Sequence, residues 1–167
     1  MKNIYLVVDN VRSALNVGSM LRSSDGLGIY EVMLCGYTPY PAMDNNDQRL
    51  PYIAQKITKR INKTALGAEQ SQNWSHYVDT ETAIKRLRAM SVEVLALEQT
   101  AHAIELTSLN PKSANIALIV GNERTGLEDK ILSLVDSVVA IPMLGKKESF
   151  NVSAAAAMAM FYLKYML

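Results

Sequence analysis

Short apolar runs alternate with segments of helical periodicity along almost the whole chain, and this alternation constrains the fold more than any other feature. The runs fall at residues 4–8, 31–35, 92–97, 115–120 and 137–141. Continuous apolar strands of this kind are covered on both faces, the environment of a parallel sheet. Between them, helical spacing predicts helices over 16–26, 53–63, 80–90, 128–135 and 151–165. Val17, Met20 and Leu21 share a face in the first, and Ile53, Ile57 and Ile61 recur every four residues in the second. Residues 36–51 hold three prolines and an Asp-Asn-Asn-Asp stretch and read as a loop; residues 64–77 read as irregular. Strands separated by helices predict an α/β fold with a mostly parallel sheet flanked by helices. No repeat or linker interrupts the pattern, so residues 1–167 read as a single domain.

Charge and composition narrow the function. The formal net charge is +1, so contact with a polyanion has to come from a local patch. Cys35 is the only cysteine, which rules out an internal disulfide and suits a reducing cytoplasm. The start of the chain meets Asp9 before any long apolar region and is not a secretory signal. The longest apolar stretch, 152–163, is far short of the roughly 20 residues a membrane-spanning helix needs. A soluble, cytoplasmic protein is expected. His76 and His102 show no metal-ligand spacing, and no metal is expected. No G-x-G-x-x-G follows the first strand. Gly121 and Gly126 have the glycine spacing of a phosphate loop, but Leu127-Glu128 stands where Lys-Ser is needed.

Ligands of parallel sheets gather at the carboxyl ends of strands, and three such loops are rich in polar residues and glycine. The first spans 10–22 and contains Asn16, Gly18 and Arg22. The second, 121–128, contains Gly121, Glu123 and Gly126. The third begins Ile141-Pro142-Met143 and continues Ser149-Phe150-Asn151-Val152-Ser153 into an alanine-rich helix. In this order they resemble the three motifs of the SpoU (TrmH) family of RNA ribose 2′-O-methyltransferases, in the SPOUT superfamily. The one departure is Phe150, where that family usually carries leucine. The motifs frame residues 3 to 163.

The resemblance implies a SPOUT-type sheet whose C-terminal part is threaded into a trefoil knot, an exception to the rule against knotted chains. It implies S-adenosyl-L-methionine as cofactor, a homodimer that completes the site across its interface, and an RNA substrate, either tRNA or rRNA. Catalytic roles would fall to Arg22, Asn16, Glu123, Ser149 and Asn151. Arg22 would clamp the substrate phosphate and stabilise the developing alkoxide, or accept its proton; guanidinium, with a pKa above about 12, is a poor base. Asn16 would orient Arg22 or the ribose, with simple helix capping as the alternative; Glu123 would fix the geometry of its loop or help hold Arg22. Ser149 and Asn151 stand at the mouth of the last helix, where free amides favour an anionic group and where capping also explains them. Leu97, Gly121, Asn122, Ile141, Met143, Ser149 and Phe150 would hold the cofactor.

For RNA contact the best basic arc is Lys56, Lys59, Arg60 and Lys63, with Arg12, Arg22, Lys146 and Lys147 nearer the site. A separate RNA-binding domain is not expected. The segment Lys63-Thr-Ala-Leu-Gly-Ala-Glu69 followed by Trp74 resembles a stretch of short family members, but the sequence supplies no role for it. Two alternatives stand beside the methyltransferase: a non-catalytic SpoU-like module that binds RNA or a nucleotide, and an unrelated α/β enzyme acting on small nucleotides.

Overall fold

Pleating sends alternate side chains of a buried strand to opposite faces, and the first strand, β1 (Ile4–Asp9), shows how the core is divided. Ile4, Leu6 and Val8 enter one apolar cluster, while Tyr5 and Val7 enter a second on the other side of the sheet. The computed structural model describes residues 2–44 and 47–167; Met1, with Asn45 and Asn46 of the Asp-Asn-Asn-Asp stretch, lies outside the described residues. Among those described, the remaining strands are β2 (Glu31–Cys35), β3 (Trp74–Tyr77), β4 (Glu93–Leu97), β5 (Ile104–Glu105), β6 (Ile116–Val120) and β7 (Ser137–Ala140). They form one sheet in the order β3-β2-β1-β6-β4-β7-β5, and every pairing is parallel.

Helices cover both faces. Helices α1 (Ala14–Leu27), α2 (Pro51–Ala65) and α6 (Val152–Phe161) pack over the first cluster through Val17, Met20, Ile61, Ala156 and Met160. Helices α4 (Thr80–Ala89) and α5 (Asp129–Leu132) cover the second through Ala83, Ile84, Leu87 and Ile131. No helix of the described residues is long and apolar enough to cross a membrane.

The helix expected over 16–26 begins two residues earlier, because Ser13 is its cap: the Ser13 hydroxyl accepts the Asn16 amide at 3.3 Å. The helix expected over 128–135 keeps its α-form only in α5, after which the chain turns and Val135 packs on the core from outside a helix. Residues 64–77, expected to be irregular, contain a short helix α3 (Ala68–Ser71) and the strand β3. The Lys63–Glu69 segment thereby gains a role. Leu66 and Gly67 take left-handed backbone to end α2 and start α3. The Glu69 carboxylate accepts Asn62 Nδ2 at 2.6 Å and the Gly67 amide at 3.1 Å. Trp74 Nε1 donates to the Glu69 carbonyl at 3.0 Å, pinning the corner to the edge strand. Thr64 Oγ1 donates to the Leu15 carbonyl at 2.7 Å, so α2 sits hard against α1. That crossing requires Gly18, since a Cβ there would collide with the Ile61 carbonyl oxygen and the Thr64 hydroxyl.

Candidate active site

The strand order makes neighbours of β1, β6, β4 and β7, so the loops leaving their carboxyl ends meet although they are far apart in sequence. Between them lies a cleft of about 460 Å³, a size typical of small-ligand sites. Leu97 at the end of β4, Ile141 beyond β7, and Phe150 and Val152 at the start of α6 give it apolar walls. Residues 121–124, Gly121 and Asn122 among them, line its other side.

Glu123 is the hub that joins this cleft to the first loop. One carboxylate oxygen, Oε2, accepts the Arg12 amide at 3.0 Å. The other, Oε1, accepts the Ser13 amide at 3.0 Å and Asn16 Nδ2 at 2.9 Å. Burial alone would raise the pKa of Glu123, but the Arg12, Asn16 and Ser13 donors outweigh it and hold the carboxyl below its ordinary value. The Asn16 carboxamide oxygen then accepts Asn151 Nδ2 at 3.2 Å. Asn151 is at the same time the cap of α6, its oxygen accepting the Ser153 amide at 2.9 Å and the Ala154 amide at 3.3 Å. Capping and site-building are therefore carried by one side chain. Asn16 is not a cap, because Ser13 fills that place.

The second loop folds back on itself through a bridge between Asn122 and Gly126. A Cβ on Gly121 would stand 2.7 Å from the Gly126 carbonyl carbon and 2.8 Å from the Leu127 nitrogen, both backbone atoms that cannot rotate aside. Gly126 has φ +67° and lies against the Glu98 carboxylate, which accepts the Leu127 amide at 2.8 Å. Asn122 is 8% exposed, and all its polar atoms are engaged. Its Nδ2 donates to the Asn10 carbonyl and the Tyr37 hydroxyl, each at 2.9 Å, and its Oδ1 accepts the Arg124 amide at 2.9 Å and the Thr125 amide at 3.2 Å. Asn122 lines the cleft, but its side chain is committed to the loop.

Of the residues singled out in the sequence, Asn16, Glu123 and Asn151 come together, and Leu97, Gly121, Asn122, Ile141, Ser149 and Phe150 line the cleft. Arg22 and Met143 do not line it. Arg22 is exposed on α1 and forms no side-chain hydrogen bond or ion pair among the described residues. Lys56, Lys59, Arg60 and Lys63 form an exposed row on α2, and Lys146 and Lys147 are exposed beyond β7. Arg12 lines a separate depression with Tyr37 and Arg124. Sequence reasoning missed Glu98 and Gln99, which brace the cleft from β4; Gln99 Nε2 donates to the Ile141 carbonyl at 2.7 Å. Their signal was available: two polar residues directly after a buried apolar strand.

Known proteins are similar to this chain in sequence and fold. The tRNA (guanosine(18)-2'-O)-methyltransferase of Borreliella burgdorferi is 28% identical over 170 residues, covering 96% of this chain and 65% of that protein. The 23S rRNA (guanosine(2553)-2'-O)-methyltransferase RlmP of Bacillus subtilis is 30% identical over 166 residues, covering 95% of this chain and 57% of that protein. The chain thus spans 57% to 65% of the length of these two relatives. The crystal structure of an AdoMet-bound rRNA methyltransferase from Sinorhizobium meliloti has the same fold, with a TM-score of 0.82 at 23% identity over 100% of this chain and 58% of that one. Residues 3–161, which contain the cleft and the first loop joined to it by Glu123, match the model of the SpoU rRNA Methylase family, and the chain belongs to that family.

Proposed function

We propose that the chain transfers a methyl group from S-adenosyl-L-methionine to a ribose 2′-hydroxyl of RNA, tRNA or rRNA. The observation that carries this reading is the Glu123–Asn16–Asn151 chain of hydrogen bonds, which ties the first loop to the two loops that line one cleft of cofactor size. The apolar walls and the close-packed glycine turn fit a nucleoside held by shape and backbone groups. When bound, the cofactor supplies an electrophilic methyl carbon on a sulfonium, so positioning dominates the chemistry. Leu97, Ile141 and Phe150 exclude water around it, and Ser149 and Asn151 stand at its edge. Glu123, ionised and fully engaged with donors, keeps the first loop in place and is not a proton acceptor.

Arg22 is assigned the substrate phosphate and the developing alkoxide. Because it is exposed on α1 and does not line the cleft of its own chain, it serves the cleft of a second copy in a homodimer. The apolar outer face of α6 and the turn after it supports that assembly: Met158, Phe161 and Tyr165 are 41%, 50% and 58% exposed. The lysine row of α2 supplies salt-dependent attraction to RNA. The knotted C-terminal topology and a cytoplasmic location belong to the same proposal.

The test is Arg22→Ala, assayed by tritiated methyl transfer to bulk RNA and by calorimetric titration with S-adenosylmethionine. Transfer is lost and cofactor affinity is nearly unchanged. Mixing Arg22→Ala subunits with subunits whose cleft is blocked by Gly121→Val restores transfer in the mixed dimer. Retained turnover in Arg22→Ala overturns its assignment. A wild-type protein that binds RNA and cofactor without transferring methyl is a binding module instead.

A further inference from the structure

We propose that Arg12, Tyr37 and Arg124 form a second subsite that holds the nucleotide flanking the methylated one, with its phosphate between the arginines and its base on the tyrosine ring. This rests on the RNA methyltransferase reading above. The three residues line a depression of about 630 Å³ that shares Asn122 and Arg124 with the cofactor cleft. A strand entering the cleft therefore continues into this depression.

The Tyr37 ring is the unusual element. It is 63% exposed, yet it is fastened at both ends. Its hydroxyl accepts Asn122 Nδ2 at 2.9 Å, and its amide donates to Asn10 Oδ1 at 3.2 Å. Gly36, immediately before it, has φ +64°, and a Cβ there would strike the Asn10 carboxamide. An exposed aromatic that only filled space would not need anchoring by a buried amide. A locked, solvent-facing ring is what single-stranded RNA recognition uses, since each base offers a π-face to stack on.

The arginines complete the chemistry. Arg12 and Arg124 are both exposed, and neither guanidinium makes an ion pair or hydrogen bond among the described residues. Their backbones, by contrast, are fixed: the Arg12 amide by Glu123 and the Arg124 amide by Asn122. Two free guanidinium groups on rigid loops, facing one depression, match a phosphodiester, for which planar bidentate donors are well shaped. Glu123 and Asn122, adjacent in sequence, thereby couple the flanking nucleotide to the reaction site.

The experiment measures binding of a fluorescein-labelled, unstructured oligouridylate to the full chain across a salt series, beside an abasic oligomer of the same length. Tyr37→Ala weakens oligouridylate binding about tenfold, leaves the salt slope unchanged and leaves abasic binding unchanged. Arg12→Ala weakens both oligomers and lowers the slope of log affinity against log salt by about 0.7. Tyr37→Phe, which keeps the ring, binds within about threefold of wild type. S-adenosylmethionine affinity is unchanged in Tyr37→Ala and Arg12→Ala, which also reports that both are folded. Wild-type affinity and salt slope in Tyr37→Ala and Arg12→Ala, from protein that still transfers methyl, overturn the subsite alone. Absence of methyl transfer and cofactor binding in the wild type overturns the methyltransferase reading instead.

Discussion

Removing the Glu123 carboxylate separates the loops that build the cleft, and the size of the effect follows from its contacts. Glu123→Ala deletes three acceptor interactions, with the amides of Arg12 and Ser13 and with Asn16 Nδ2, all at 2.9 to 3.0 Å. Hydrogen bonds to a charged group contribute roughly 1.5–3 kcal/mol each when buried. These donors lie at an exposed loop and can turn to water, so the three together are worth about 2 kcal/mol. For 167 residues the unfolding entropy is about 0.35 kcal/mol/K, which converts that loss into a fall of about 6 °C in Tm. Glu123→Gln keeps one acceptor oxygen but presents an amide N–H to the remaining donors, and recovers no more than about half.

The dependence on pH has a definite sign. The folded-state pKa of Glu123 is lowered, so its contribution is complete above the unfolded value of about 4.3 and is lost as pH falls through the lower folded value. The gap in Tm between wild type and Glu123→Ala is therefore constant from pH 5 to pH 8 and narrows below about pH 4. Differential scanning calorimetry across that range measures it. Methyl transfer falls at least about 100-fold at neutral pH, the expected cost of misplacing reacting groups by about 1 Å. A gap in Tm below about 1 °C, or one independent of acid, refutes the assigned role of the carboxylate.

Gly18→Ala drives a Cβ into the α2 backbone at Ile61 and destabilises the fold by about 1–3 kcal/mol, read as a lower midpoint in urea. Cys35 is fully buried at the end of β2, and burial pushes its thiol up to about 12, so it resists a thiol-reactive disulfide reagent at pH 8 until the chain is unfolded by guanidinium. Light scattering at micromolar concentration gives a dimer mass, and Phe161→Asp with Tyr165→Asp, on the exposed face of α6 and the helical turn after it, converts it to monomer.

How much of this was legible in the sequence depended on burial. β1, β2, β4 and β6 are covered on both faces and spell themselves out as apolar runs. Trp74-Ser-His-Tyr77 is half-exposed at the sheet edge, so β3 has no such run, and the two exposed residues of β5 carry no pattern at all. The helix over 128–135 was over-read because Leu134 and Val135 keep a helical spacing while packing from a turn.

The site divides in the same way. Asn16, Glu123 and Asn151 were legible as members of motifs, but their mutual contacts arise only because β6 lies between β1 and β4, an order no local pattern encodes. The distance of Arg22 from its own cleft is a consequence of helix phase: six residues beyond Asn16 is about a third of a turn away from its face. Glu98 was marked only by its place directly after a buried strand; its task, filling the space beside Gly126, has no counterpart in local sequence.

The most direct test is to incubate the protein with S-adenosylmethionine carrying a labelled methyl group and bulk tRNA and rRNA, digest the RNA to nucleosides and identify the labelled product by mass spectrometry. A ribose 2′-O-methylated nucleoside, absent with Arg22→Ala, is the predicted result. Label on a base, or none on RNA from protein that is folded and binds the cofactor, contradicts the account.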